Sequence, residues 1–506
     1  MSRFSPGGWQ LIRGAPVSDL QTMLPLESTV LVNGRTAAAV GFAPTFEQRI
    51  WMEFLHGDAL ENPETPLTFA EALLEAEKGN TSLTIKDADV STVLQEKQLA
   101  RSPLLPQLGA SGEYNTREPG PLTGILPDQS GIAGVSLSQM IYDDRVVSDY
   151  RSAKRAYEGA QYDRETTRLD VLAAAGAAYL EFVLARVSYR IDVANLDLTR
   201  ENLELAKIRY EAGYSGQDEV FRWEAELAGR RSDLFNRNAQ VEDRRIAFNQ
   251  VLGIDQEKRW KPEEIDVDPD VFYFLDGRID DVFDNAGTLR RFRDFMVTFA
   301  MENSPELMAV AKAIEAESIQ LGQRKRAFIL PTFSAMLDYN YYYHKRPDFA
   351  SDIDRATYGL RIMATYPIFN GAARLYDKRR SQTIVQGLNY QEELVRQLVE
   401  RDTRTALRRV ENSFPTIRFA GTGAENSNKN LVIVQDKYSQ GIVNVTDLLQ
   451  AQTSAFAAEQ AAAAAVYTFL IDLVNVERAI SWFEDEKTDE EKNALVERIQ
   501  LEVLSP

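Results

Sequence analysis

Residues 100–108 read ARSPLLPQL and residues 325–333 read KRAFILPTF, which places Pro106 and Pro331 225 positions apart in one chain. Three more landmarks recur in the same order at offsets of 224 to 228 positions. They are EKGNTSL at 77–83 with MENSPEL at 301–307, Tyr142 with Phe369, and YEAG at 210–213 with YSQG at 438–441. Landmarks that recur in one order indicate an internal repeat. The chain is therefore predicted to be a tandem duplication.

Each copy is predicted to pass from a helix into a pair of strands at a Leu-Pro pair. Proline cannot continue a helix, and the residue before it favours extended backbone, so Pro106 and Pro331 are the expected helix–strand junctions. Beyond each proline, alternating side chains are typical of β-strands. The predicted strands cover residues 106–116, 131–143, 331–345 and 356–370. Loops rich in Gly, Pro and Asp, at 117–128 and 345–354, connect the paired strands.

A very long helix is predicted after each strand pair. Residues 144–211 contain no proline, and these 68 residues form a rod of about 100 Å at ~1.5 Å per residue. The counterpart at 372–440 contains Pro415, Gly421 and Gly423, where we expect a break or kink. Each rod ends in a Tyr-x-x-Gly turn, at Gly213 or Gly441, and another helix follows. Such rods are too long for one globular core.

Composition narrows the possible functions. The chain has no cysteine, two histidines and a net charge of -19, which argues against a Cys or His metal site and against nucleic acid as a partner. No dinucleotide, phosphate-loop, zinc-protease or nucleophile-elbow motif is present, so neither an enzyme nor a bound cofactor is predicted. No stretch approaches the roughly 18 uncharged apolar residues of a spanning helix. A spanning β-strand needs only about 10 alternating residues.

Four strands cannot close a barrel, and an open sheet edge cannot stand in lipid. If these strands lie in a membrane, other subunits must complete the sheet, and three chains would supply twelve strands. Tyr339, Tyr341, Tyr342 and Tyr343 would then suit an aromatic girdle at the bilayer surface. The alternative is an ordinary soluble sheet with aromatic packing.

Residues 100–109 and the two Tyr-x-x-Gly turns, which are followed by DEV at 218–220 and TDLL at 446–449, resemble the TolC family of outer-membrane efflux proteins. The resemblance covers about residues 67–483. It implies an α+β membrane protein, a homotrimer with a twelve-stranded β-barrel in the outer membrane of a Gram-negative bacterium and an α-helical tunnel in the periplasm. Such a channel gives exit, in efflux or type I secretion, to substrates from an inner-membrane pump of the ABC or RND type through a periplasmic adaptor. A soluble periplasmic coiled-coil scaffold or adaptor is the alternative, although it does not need the strand pairs.

The resemblance also implies roles for residues at the periplasmic tip. A ring of acidic residues constricts the pore of such proteins, and it falls on Asp447 here. A second acidic ring falls on Gln450, a departure that implies a weaker field and weaker block by divalent cations. The alternative for Asp447 is a carboxylate that only stabilises a helix N-terminus.

The family holds its tip closed by links between two helix pairs. By the resemblance these links fall on Tyr438 and on the pair Asp218 and Glu219. The usual basic partner falls on Val443, which cannot form a salt bridge.

Several segments lie outside the two repeats. Residues 1–66 have no assigned role, although 28–32 are strand-like. Residues 67–254 and 301–483 are the two repeats, and 255–300 are a junction expected to girdle the tunnel. Residues 484–506 form an acidic tail, as a short helix or a loose end. The start lacks the apolar core of a secretory signal, so the numbering begins after cleavage or the N-terminus belongs to a longer or rearranged reading frame.

Overall fold

The structure is a computed structural model that describes residues 30–39, 42, 45, 48, 52–55, 64–118, 128–265, 267, 274–277, 282, 285–346 and 354–504. The N-terminal segment contributes β1 (Val30–Asn33), α1 (Gly34–Ala39) and β2 (Met52–Leu55), with β1 and β2 parallel. The strand expected over 28–32 is described from Val30 onward. The centres of the two expected strand-connecting loops, 119–127 and 347–353, lie outside the described residues.

The first copy of the repeat begins next to a short strand, and its elements follow in the expected order. They are β3 (Thr65–Leu67), α2 (Phe69–Gly79), α3 (Thr81–Arg101), β4 (Gln107–Thr116), β5 (Gln129–Tyr142), α4 (Asp144–Glu211) and α5 (Gln217–Leu252). The predicted helix over residues 144–211 is confirmed, with 68 residues.

The second copy repeats this order after a short junction strand, β6 (Trp260–Pro262), which pairs in parallel with β3. Its elements are α6 (Ala286–Asn303), α7 (Pro305–Arg326), β7 (Thr332–Arg346), β8 (Ala356–Thr365), α8 (Ala373–Ser439) and α9 (Val445–Ala479). The copies match in detail, because Asn80 and Ser304 stand 224 positions apart and N-cap α3 and α7. The strand expected over 356–370 ends at Thr365, since Pro367 lacks the N–H that would continue the ladder.

Of the break or kink expected in the second long helix, the break is wrong. α8 is one helix of 67 residues that continues through Pro415, Gly421 and Gly423. Proline costs a helix interior about 3 kcal/mol. Val410 and Ile417, which flank Pro415, are buried in the shared core, and their packing offsets that cost.

The four long strands form one antiparallel sheet in the order β4-β5-β7-β8. One row of this sheet joins four leucines, because Leu108 pairs with Leu137, Leu137 with Leu337, and Leu337 with Leu360. Their exposed fractions are 75%, 38%, 47% and 71%. One face of the sheet therefore exposes a row of apolar side chains.

The opposite face of the sheet is polar. The next row joins Gly109, Ser136, Asp338 and Gly359 across the same strands. Tyr339 and Tyr341 continue the apolar alternation from Leu337, whereas Tyr342 takes the opposite face. A bulge at Gly131 and Ile132 shifts the register at Tyr343. The tyrosine cluster is thus divided between the two faces.

The main core lies where the helices cross the junction between the copies. Tyr179 of α4 is buried there, and its hydroxyl donates to the carbonyls of Leu67 (3.1 Å) and Glu263 (2.9 Å). α4 and α9 each contain an 18-residue window apolar enough, by composition, to cross a membrane. Leu172 and Phe469 from these helices are buried in this core, so the apolar composition serves packing.

The C-terminal segment packs on this core as α10 (Asp489–Ile499) and a π-helical turn, Gln500–Leu504. Of the two expectations for this segment, the loose end is wrong, because Leu495, Val496, Ile499 and Val503 are buried in the core. The backbone N–H of Glu484 donates to Glu477 of α9 at 2.9 Å, and Lys492 lies 3.4 Å from Glu484.

A buried polar seam joins α4 to α9 between the main core and the far end of the helices. Gln452 of α9 is 2% exposed, and its Nε2 donates to Asn195 Oδ1 and Thr199 Oγ1, both at 2.8 Å. Its Oε1 accepts from Asn202 Nδ2 at 3.0 Å. Asn195, Thr199 and Asn202 share one face of α4 at helical spacing. Only one axial alignment of the helices makes all three bonds.

A second contact reinforces this alignment. Gln460 Nε2 donates to Asp192 Oδ1 at 2.9 Å, and Arg237 of α5 donates to Asp192 Oδ2 at 2.8 Å. One carboxylate of α4 thus joins α5 and α9.

We predict that Gln452→Leu destabilises the fold by about 1–3 kcal/mol, because it leaves buried donors and acceptors on α4 without partners. The measurement is the denaturant midpoint of the full chain. Gln450→Leu, an exposed position on the same helix, is the control and should shift the midpoint little. Equal midpoints for the two variants would contradict the role of the seam.

Glu477 is expected to make the stability of the folded chain pH-dependent. Burial raises the pKa of Glu477 to about 8, and the nearby Asp485 and Glu484 carboxylates act in the same direction against Lys492. The folded protein then holds a proton that the unfolded chain releases, so the free energy of unfolding falls as the pH rises toward about 8. We expect Glu477→Gln to flatten the dependence of Tm on pH between about 5 and 8. Glu459→Gln, exposed on α9, should keep the wild-type slope, and a sloping Glu477→Gln profile would refute the assignment.

Candidate functional site

The far end of the helical region, here called the tip, contains two equivalent turns. Gly213 has φ +73° and Gly441 has φ +75°, a left-handed conformation that favours glycine. Each turn closes by a backbone bond, from Tyr214 N to the Arg209 carbonyl (2.8 Å) and from Ile442 N to the Lys437 carbonyl (2.9 Å). Helices α5 and α9 begin directly after these turns, which makes two hairpins, α4–α5 and α8–α9.

Asp447 lies in the first turn of α9 and forms a capping box. Its N–H donates to Asn444 Oδ1 at 3.0 Å, and its Oδ2 accepts from the Asn444 N–H at 3.2 Å. Both Asp447 and Gln450 have exposed side chains, and Gln450 Nε2 donates to Ser454 Oγ at 3.3 Å. Asp447 thus stabilises a helix N-terminus while its carboxylate stays open to solvent.

Tyr438 links the two hairpins. Its side chain is fully buried, and its hydroxyl donates to Glu219 Oε2 at 3.0 Å. Of the acidic pair named from the sequence, Glu219 reaches Tyr438, whereas Asp218 is exposed. Burial raises the pKa of Tyr438 to about 12, and Glu219 acts in the same direction. The phenol therefore stays protonated and remains a donor at physiological pH.

Arg209 is the cation of this link, and the sequence reading missed it. Its guanidinium carbon lies 4.6 Å from the centre of the Tyr438 ring, and its Nε lies 3.8 Å from Glu219 Oε2. It also donates to the Tyr438 carbonyl. Val443, the position at which the family resemblance implies the cation, instead packs against the apolar tip core. Arg209 directly precedes the first Tyr-x-x-Gly turn, as Lys437 precedes the second, and this repeated cation was the available signal.

A further bond crosses between the hairpins beside this link. Arg222 of α5 donates to Thr446 Oγ1 of α9 at 3.0 Å. Beneath both contacts lies an apolar tip core that includes Trp223, Val445 and Leu448. In the described part of the chain, no group of three His, Asp or Glu side chains is placed to hold a metal ion. The tip residues therefore connect the two hairpins through polar contacts, and the exposed Asp447 carboxylate lies beside them.

Comparisons with known proteins agree on one architecture. A model of the outer membrane efflux protein family matches residues 73–254 and 297–481, which are the two copies of the repeat. The outer membrane channel MtrE of Neisseria gonorrhoeae has a TM-score of 0.65 at 20% identity, over 82% of this chain and 89% of that chain. The outer membrane channel CmeC of Campylobacter jejuni has a TM-score of 0.65 at 16% identity, over 85% and 89%. CusC, whose structures concern transmembrane channel formation, reaches 0.69 at 16% identity, over 84% and 95%.

A comparison with curated proteins finds no match. The residues matched by the family model include both strand pairs as well as the helices, which does not favour the soluble scaffold or adaptor. The resemblance seen in residues 100–109 and in the two tip turns is confirmed by the family model. The chain therefore belongs to the outer membrane efflux protein family, as an outer-membrane efflux channel whose helices extend into the periplasm.

Proposed function

We propose that three copies of the chain close one twelve-stranded barrel and continue it as a helical tunnel, through which substrates leave the cell. The row of exposed leucines across the sheet carries this proposal. Leu108 and Leu360, at its two ends, are 75% and 71% exposed on β4 and β8, and each of these strands has one neighbour in the sheet. Lipid would cover the apolar face, and neighbouring copies would pair with the two edges.

The energy for transport comes from elsewhere, since the proposed role is that of a passive conduit. Channels of this family work with an inner-membrane pump and a periplasmic adaptor. We propose an ABC or RND pump as the partner, with the adaptor meeting the tip. The exposed Tyr214 and Ile442 at the two turns offer apolar contacts for it.

Asp447 is proposed to form the acidic ring of the aperture. In a threefold assembly its exposed carboxylates would meet near the axis and attract cations. Gln450, one turn further along α9, would add no charge. The aperture would then carry a single acidic ring, with weak block by divalent cations.

We expect Asp447→Asn to reduce the cation preference of the channel severalfold in planar bilayers, because three charges leave the aperture. Asparagine keeps the capping oxygen, so the helix start is preserved. Gln450→Glu should do the reverse and strengthen divalent block. Glu211→Gln, which removes an exposed charge at the end of α4, is the control. Unchanged selectivity in Asp447→Asn, or a matching loss in Glu211→Gln, would rule out the aperture role.

The contact of Arg209 with Tyr438 and Glu219 is proposed to hold the tip closed. Opening requires the α8–α9 hairpin to move away from α4–α5, which separates the Tyr438 hydroxyl from Glu219. The pair Arg209 and Glu219 is nearly buried, with 11% and 15% exposure, so losing one partner leaves an uncompensated charge.

We predict that Arg209→Gln raises single-channel conductance or open probability, and that Tyr438→Phe does so less, because it removes one hydrogen bond. The double variant should show less than the sum of the two effects, since both residues act on one contact. Lys207→Gln is the control, because its ion pair with Glu204 stays within α4. If Arg209→Gln leaves both the conductance and the open probability at the wild-type values, other contacts hold the tip closed.

A further inference from the structure

The end of the sheet nearest the helices carries a concentration of positive charge. All four strands meet the helical region at this end of the sheet. β4 begins there at Gln107, β5 ends at Tyr142, β7 begins at Thr332 and β8 ends at Thr365. The segments that leave it are residues 101–105, 143–147, 324–330 and 366–380. They contain nine Lys or Arg and three Asp, in a chain whose net charge is -19.

Some of these cations serve the fold itself. Arg326 pairs with Asp144 at 3.0 Å, and Arg374 donates to the carbonyls of Ala327 and Ile368, both at 3.1 Å. Others are exposed and form no ion pair with the described residues of the chain. These are Arg101, Arg145, Lys325, Arg379 and Arg380.

Exposed apolar side chains accompany the cations in both copies of the repeat. Arg101 is followed four residues later by Leu105, and Lys325 four residues later by Ile329, at equivalent positions 224 residues apart. Leu105 is 49% exposed and Ile329 77%. In each copy the next proline directly precedes the strand. A cation, an exposed apolar side chain and a strand thus follow one another in both copies of the repeat.

We propose that these exposed cations bind the anionic phospholipid headgroups of the leaflet that faces the periplasm. This proposal rests on the proposed barrel, because the strands must cross the membrane for this end of the sheet to lie at the membrane surface. Cations near an anionic bilayer are attracted to it within about a Debye length. Long cationic side chains extend to the headgroups while the apolar neighbours enter the acyl boundary. The belt, defined as Arg101, Arg145, Lys325, Arg379 and Arg380, would set the depth of the barrel.

The test is lipid selectivity of the whole protein in phosphatidylcholine vesicles. Spin-labelled phosphatidylglycerol and spin-labelled phosphatidylcholine are compared by the fraction of each that the protein immobilises. We expect wild type to prefer phosphatidylglycerol by about threefold or more, an effect that added salt weakens. The variant Arg101→Gln, Lys325→Gln, Arg379→Gln, Arg380→Gln should reduce this preference toward one.

The matched control removes four exposed cations further along α8, at Arg396, Arg418, Lys429 and Lys437, each changed to Gln. It should keep the wild-type preference. Equal immobilisation of both lipids by wild type, or an equal loss in the control, overturns the proposal. Dissociation of the belt variant into single chains also overturns it, because the cations would then be contacts between copies.

Channel conductance of the same vesicles separates this proposal from the barrel on which it rests. If the protein conducts ions but prefers neither lipid, the lipid-binding belt is refuted and the barrel is not. A protein that immobilises neither lipid and conducts no ions refutes the barrel itself.

Discussion

The exposed leucine row of the sheet is the constraint on which the rest of the molecule depends. Leu108, Leu137, Leu337 and Leu360 lie side by side across four strands, and the outer strands each keep one edge without a partner in the sheet. Water does not stabilise such a face, and lipid does not tolerate such edges. The proposed barrel, shared between subunits, satisfies both conditions. Each repeat of the duplicated chain supplies one strand pair to it and the helices that continue that pair.

In the helical region, an apolar core holds the helices together, and polar contacts further from the sheet fix the axial alignment of α4 and α9. The main core around Tyr179 holds the helices together, whereas Gln452 sets one axial register between α4 and α9. At the tip, Arg209, Tyr438 and Glu219 form the contact that is proposed to hold the two hairpins closed. In the proposed gating, stability and movement are separated along the helices. The apolar core keeps the chain folded, while a small charged contact holds the end that the proposal requires to open.

The sequence was sufficient for features that depend on local chemistry. Proline at the junctions, glycine at the turns and the absence of proline in 144–211 predicted the strands, the tip turns and the 68-residue helix. Features that depend on packing were missed or wrong. Neighbouring core contacts keep α8 helical through Pro415, a bulge shifts the register at Tyr343, and the C-terminal helix docks through side chains distant in sequence. Arg209 was missed because its partners lie 10 and 229 positions away.

Light scattering of the detergent-extracted protein, with protein and detergent masses resolved, tests the shared barrel most directly. We expect three chains of 57.1 kDa carrying a detergent belt, because only the assembled sheet has a continuous apolar surface. A monomer or dimer without bound detergent would contradict it, since the leucine row would then be covered by something other than lipid.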